Sequence, residues 1–126
     1  MSITEVTSQE VTIFEPGDPI QALLGRKVLV RSSEAGVFAG RLVSAAPDFG
    51  VVELEKTRRI WYWSGAASLS ELALWGPASP AECMFPARTP GIHIVRRVIE
   101  IIEMTDVAWK SVKKVPVWAC HPMLTR

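Results

Sequence analysis

The sequence predicts a mainly β domain of the α+β kind: a small, strongly bent antiparallel barrel, Sm-like or SH3-like, with one to three short helices. Three observations point there. Successive short runs between residues 26 and 63 alternate with period two or are rich in β-branched and aromatic residues. Glycines at 36, 40 and 50 turn or bend the chain between and within those runs. A short helical pattern precedes them, as it does in Sm-like barrels, a likeness of fold that carries little about function.

Residues 1–19 read as an N-terminal arm, polar at first, in which "VTIFEPGDP" has the pattern of a short strand stopped by a Pro-Gly turn. Residues 20–126 read as a single β-rich domain with a C-terminal helix and an extended tail. "DPIQALLG" predicts a short helix, with Asp18 as N-cap, Pro19 at the first helical position and Gly25 past the end. "RKVLVRSS" is the first strand, "EAG" a turn and "VFAGRLVSAAP" the second strand. Gly40 inside that second strand marks a bend or a close backbone approach. After "DFG", "VVELEK" predicts a third strand and "RRIWYW" a fourth.

"SLSELALWG" carries a capping-box pattern, Ser68 answered by Glu71, and predicts a short helix. "PASPAECMFPARTPG" holds four of the nine prolines and predicts a long surface loop. In "IHIVRRVIEIIEMT", apolar positions 92, 95, 98, 99 and 102 also fit a helix. The β-branched density and the Pro-Gly start favour strand, divisible in two at a bend near Arg96 and Arg97. "TDVAWKSVKKV" predicts a helix capped by Thr105, with Lys110, Lys113 and Lys114 toward its end and Pro116 stopping it.

Hydrophobic residues make up 48% of the 126, which predicts a packed core, and the net charge of +1 leaves no bulk basic field for sweeping up nucleic acid. Any anion site must therefore be local. The sequence shows no apolar run of about 18 residues and no signal-peptide pattern, so the expected location is the cytoplasm, without membrane association. Cys83 and Cys120 allow a disulfide, but in a cytosolic chain two buried or idle thiols are expected. With His93 and His121 they lack metal-finger spacing, so no metal is expected. No nucleophile elbow, P-loop or dinucleotide fingerprint is present, and no carboxylates pair at a convincing spacing; no enzyme activity and no cofactor are expected.

The stretch "EKTRRIWYWSGAASLSEL" is the strongest candidate for function. Strand alternation sets Arg59, Trp61 and Trp63 on one face and Arg58, Ile60 and Tyr62 on the other. Indoles offer a flat stacking surface and a guanidinium pairs bidentately with phosphate, so the combination suits a nucleotide. The competing reading is a core strand with tryptophans inward and arginine stems lying over them. Arg31 and the turn "SSEAGVFAG" add a cation and backbone N–H groups, although a plain hairpin turn has the same sequence. Phe85 in "ECMFPAR" suits a lid over a bound ring or simply a loop anchor, and Arg88 beside it a phosphate contact or a solvated arginine. His93 reads as a satisfied core histidine, and the Lys110, Lys113, Lys114 run as a solvated helix face.

At "GRKVLVRSSEAGVFAGRLV", "RRIWYWSGAASLSELALWG", "VIEIIEMTDVAWKSV" and "VPVWAC", roughly residues 20–119, the chain resembles a family of small phage proteins, the anti-Thoeris nucleotide sponges. The resemblance implies a small mostly-β domain assembled as a dimer or hexamer. It implies that a cyclic ADP-ribose-type signal is held between subunits in the host bacterial cytoplasm and is not cleaved. Carried over by position, the implied ligand-binding residues are Arg31, Gly36, Val37, Arg58, Arg59, Trp61, Trp63 and Phe85. No polar reader of an adenine edge is matched; "PGIHIV" has His93 among aliphatics there. Two alternatives stand beside this expectation: an Sm-like module for single-stranded nucleic acid, against which the low net charge argues, and a phage structural or accessory protein with its aromatics in subunit contacts.

Overall fold

In the computed structural model, which describes residues 19–46, 48 and 50–118, the first strand is buried on both faces. Strand β1 is Lys27–Ser32, and its consecutive residues Val28, Leu29 and Val30 are all inaccessible to solvent. A strand with no wet face needs a layer on each side, and the rest of the chain supplies two.

The sheet is antiparallel throughout. Strands β2 (Gly36–Ala45), β3 (Val51–Ile60), β4 (Ile92–Arg96) and β5 (Val98–Glu103) join β1 in the order β4-β3-β2-β1-β5. One layer is gathered on the face that carries Val28, Val30, Phe38, Leu42, Leu54 and Val95, with partly buried Val98 and Ile101 of β5 against it. Ile20, from a 3-10 helix over Pro19–Leu23, packs on the same cluster. The other layer lies on the opposite face, where Leu29, Ala39 and Ile60 meet Leu72, Phe85, Trp109 and Val112. Each fully buried Leu, Val or Phe in these layers contributes about 1.5–3 kcal/mol.

Helix α1 (Leu69–Trp75) and helix α2 (Asp106–Lys114) cover that second face. The capping expectations hold at both. Ser68 Oγ accepts from the Glu71 N–H at 3.2 Å, and Glu71 Oε1 accepts from the Ala67 N–H at 2.8 Å. Thr105 Oγ1 accepts from the Ala108 N–H and donates to the Leu74 carbonyl at 2.7 Å, so the cap of α2 also ties it to the end of α1. Among the described residues no helix is long and apolar enough to cross a membrane.

The structure corrects two expectations. The expected third and fourth strands are one strand, β3. Ala39 pairs with Arg58 while Arg41 pairs with Glu55, so β3 carries one extra residue at Lys56–Thr57, a bulge in place of a turn. Lys56 takes a left-handed φ of 55° there. Gly40 lies opposite: a Cβ at that position would sit 3.1 Å from both the Glu55 carbonyl and Thr57 Oγ1, which identifies the expected close backbone approach. The strand then stops at Ile60, short of the aromatic run.

The second correction concerns closure. No ladder joins β4 to β5 among the described residues, so the sheet is open rather than a closed barrel. Its two edge strands are nevertheless consecutive in the chain, separated by Arg97 alone, at φ 57°. This is the bend expected near Arg96 and Arg97. It is pinned to the β1–β2 turn: the Ser33 N–H donates to the Arg97 carbonyl at 2.9 Å and Ser32 Oγ to the Arg96 carbonyl at 2.8 Å.

The proline-rich loop runs between α1 and β4 as expected, with a 3-10 turn at Pro80–Glu82 and isolated bridges from Met84 to Tyr62 and from Phe85 to Val117. The expected N-cap Asp18, the strand candidate in residues 11–14, Cys120, His121 and the tail beyond 118 lie outside the described residues.

Candidate anion-binding groove

Arg58 and Arg59 leave β3 on opposite faces. Arg58 pairs with Ala39 on the helix side and is buried. Its guanidinium donates to the carbonyls of Val112 (2.9 Å), Phe85 (3.2 Å) and Pro86 (3.2 Å), joining β3 to the end of α2 and to the loop. Burial, and then the neighbouring Arg88, push its pKa below the usual arginine value. With neutral carbonyls as hydrogen-bond partners, Arg58 is a structural clamp.

Arg59 pairs with Phe38 on the other face. Its guanidinium lies 4.5 Å from the Phe38 ring centroid and donates to the Ala35 carbonyl at 2.6 Å. The His93 ring meets Phe38 edge-on, with centroids 4.9 Å apart, and its Nδ1 is 3.0 Å from Thr89 Oγ1. Arg96 and Arg97 come in from the corner between β4 and β5. Together with Ser32 they enclose a groove of about 490 Å³. Its charge is uneven: three arginines face one carboxylate, Glu34, which reaches Arg97 at 3.4 Å where both are exposed. Among the described residues, no carboxylate pairs with Arg59 or Arg96. Partial burial, and secondarily Arg59, lower the His93 pKa below the ordinary histidine value, which favours the neutral ring.

Of the residues singled out in the sequence, the groove takes Arg59. Gly36 sits at its rim, where an added Cβ would lie 4.0 Å from the Arg59 guanidinium. Val37 is half-buried against the helix-side core. Arg31 is engaged by Glu100 of β5 at 3.3 Å and does not line the groove. Phe85 is fully buried in the helix-side core, an anchor and no lid. Trp61 is two-thirds exposed, and Trp63 packs on the helix-side core while its Nε1–H donates to the Ala66 carbonyl. Arg59 and Trp63 therefore do not share a face: alternation carries only as far as the strand, and β3 ends at Ile60, before both tryptophans.

The sequence reading missed His93, Arg96 and Arg97 as groove residues. The signal available was the bend at Arg96 and Arg97, which brings the two edge strands to one corner. The groove offers an anion guanidinium groups beside the half-buried His93 ring; Phe38 beneath Arg59 is fully buried. Among the described residues, no group of three or more His, Cys, Asp or Glu gathers to hold a metal ion.

The family described as a domain of unknown function (DUF6948) matches residues 25–112, a span that includes every groove residue. No curated protein and no solved structure matches the chain.

Proposed function

The chain belongs to the DUF6948 family of domains of unknown function, and from that footing we propose that it binds a phosphate-bearing nucleotide without cleaving it. In its sharper form the reading is a phage-encoded sponge for a cyclic ADP-ribose-type immune signal, in keeping with the resemblance of the "RRIWYW" region to the anti-Thoeris sponges. The observation that carries it is the convergence of Arg59, Arg96 and Arg97 on one groove beside Phe38 and His93. Two phosphates match the excess of positive charge, and the half-buried His93 ring suits a base or ribose. Homo-oligomerisation belongs to this reading: Ile92 and Ile94 stand half-exposed on the edge strand β4 beside the groove, and a second subunit there would cover both.

The test is recovery. The protein is mixed with cyclic ADP-ribose, freed of unbound nucleotide and heat-denatured, and the released nucleotide is identified by chromatography and mass. Intact nucleotide in stoichiometric amount supports a sponge; altered nucleotide means an enzyme, and none retained removes the proposal.

The strand order favours a second reading. Edge strands that are consecutive in the chain, with a 3-10 helix ahead of β1, suit a partly open Sm-like barrel, a scaffold for single-stranded nucleic acid. Binding to single-stranded RNA that falls steeply with salt, with no retention of the cyclic nucleotide, selects it.

A further inference from the structure

A second hollow, of about 290 Å³, opens between α2 and the bulge of β3, and it shares no residue with the Arg59 groove. It is lined by Lys27, Lys56, Arg88, Lys113 and Trp109. The four cations come from four separate segments: β1, the β3 bulge, the proline-rich loop and the last turn of α2. Trp109 forms the floor, nearly buried, with the Lys27 and Lys113 ammonium groups 5.8 and 5.9 Å from its ring centroid. The left-handed φ of Lys56, unfavourable for a residue with a side chain, is held at the bulge beside this hollow.

A solvated helix face does not explain this arrangement, because a single face does not draw cations from four segments to one cavity. Like charges brought together repel, and among the described residues only the Trp109 ring, beneath Lys27 and Lys113, offsets it. Among the described residues none of the four is in an ion pair. The adjacent carboxylates are already engaged, Glu55 by Arg41 and Glu103 by Arg26 at 2.7 Å.

We infer that this hollow is a binding site for a condensed phosphate chain, the P–O–P backbone of a di- or triphosphate. Such a chain carries about three or four negative charges, a match for four cations, whereas a single orthophosphate leaves half of them unneutralised. The chain is either free inorganic oligophosphate or the 5′-triphosphate end of a nucleotide. The site is independent of the Arg59 groove and does not rest on the function proposed for it.

The experiment is a magnesium-free titration of the full chain with inorganic tripolyphosphate, followed in ¹H–¹⁵N spectra through the Trp109 indole and the amides of α2. A saturable shift of the Trp109 signal is expected. It should be retained in Arg59→Ala and weakened by about tenfold or more in the Lys27→Gln/Lys113→Gln double variant, whose unliganded spectrum reports that it is folded. Should that double variant not fold, Lys56→Gln and Arg88→Gln, each on the surface, replace it with the same expected loss. Tighter binding of ATP than of tripolyphosphate identifies a nucleotide tail as the occupant, and the reverse order identifies inorganic oligophosphate. The inference is overturned if Trp109 does not shift, if orthophosphate binds as well as tripolyphosphate, or if the shifts fall only on Arg59-groove residues. The last result would leave the groove proposal intact.

Discussion

Arg58 and Arg59 are sequence neighbours with opposite fates: one guanidinium is sealed against the carbonyls of Val112 and Phe85, the other lies across the Phe38 ring at the mouth of a groove. The same residue type is a clamp on one side of β3 and a candidate ligand contact on the other.

Arg58→Met is therefore expected to act on stability. It removes the donor to the Pro86 carbonyl and the link from β3 to α2, while the Phe85 carbonyl keeps the Trp118 N–H. A loss of about 2–4 kcal/mol is expected, read from the denaturant midpoint. Arg59→Ala, from a half-buried position, should cost about 1 kcal/mol or less. Equal effects of the two would contradict the assignment of roles.

His93 gives a pH signature. Its folded-state pKa is lowered, by burial first and Arg59 second, relative to about 6.5 for an unperturbed histidine. Its contribution to stability is thus complete above the unfolded value and is lost as pH falls through the lower folded-state value. The thermal midpoint of the wild type should fall further between pH 7.5 and 5 than that of His93→Gln. An anion in the groove favours the protonated ring, so nucleotide affinity should rise as pH falls from 7.5 to 6, with proton uptake measurable by calorimetry in two buffers.

Arg97 occupies a left-handed conformation as the single residue between β4 and β5. Arg97→Gly should keep the fold within about 1 kcal/mol and weaken nucleotide binding, because the strain is relieved while a groove cation is lost. Arg97→Val should lose about 2 kcal/mol, since a β-branched residue is least tolerant of that φ. Thermal melts of the two variants check this.

Gly65 should not tolerate a side chain. At φ 91° its added Cβ would lie 2.5 Å from the Ser79 nitrogen and 2.6 Å from that of Ala78, backbone that cannot swing aside. Gly65→Ala is expected to cost about 2–4 kcal/mol, by the same denaturant assay.

Much of the element order was legible because its signals are local: the period-two runs, the Ser68 and Thr105 caps, the bend at Arg96 and Arg97. The single β3 was not legible, because a bulge at Lys56 looks in sequence like the end of one strand and the start of the next. The site was only partly legible for a related reason. The sequence set Arg58 and Arg59 on opposite faces, as they are, but not which face is roofed by α2. It also extended the alternation through Trp61 and Trp63, beyond the strand's end at Ile60. His93 and Arg96 reach Arg59 only through the β3–β4 pairing and the corner at Arg97, contacts that a chain read residue by residue does not display.

The most direct measurement is a calorimetric titration of cyclic ADP-ribose into the wild type, Arg59→Ala and Arg58→Met. The account predicts saturable binding to the wild type, at least about tenfold weaker binding to Arg59→Ala, and little change for Arg58→Met at a temperature where it remains folded. Unaltered affinity in Arg59→Ala, or no heat with the wild type, would contradict it.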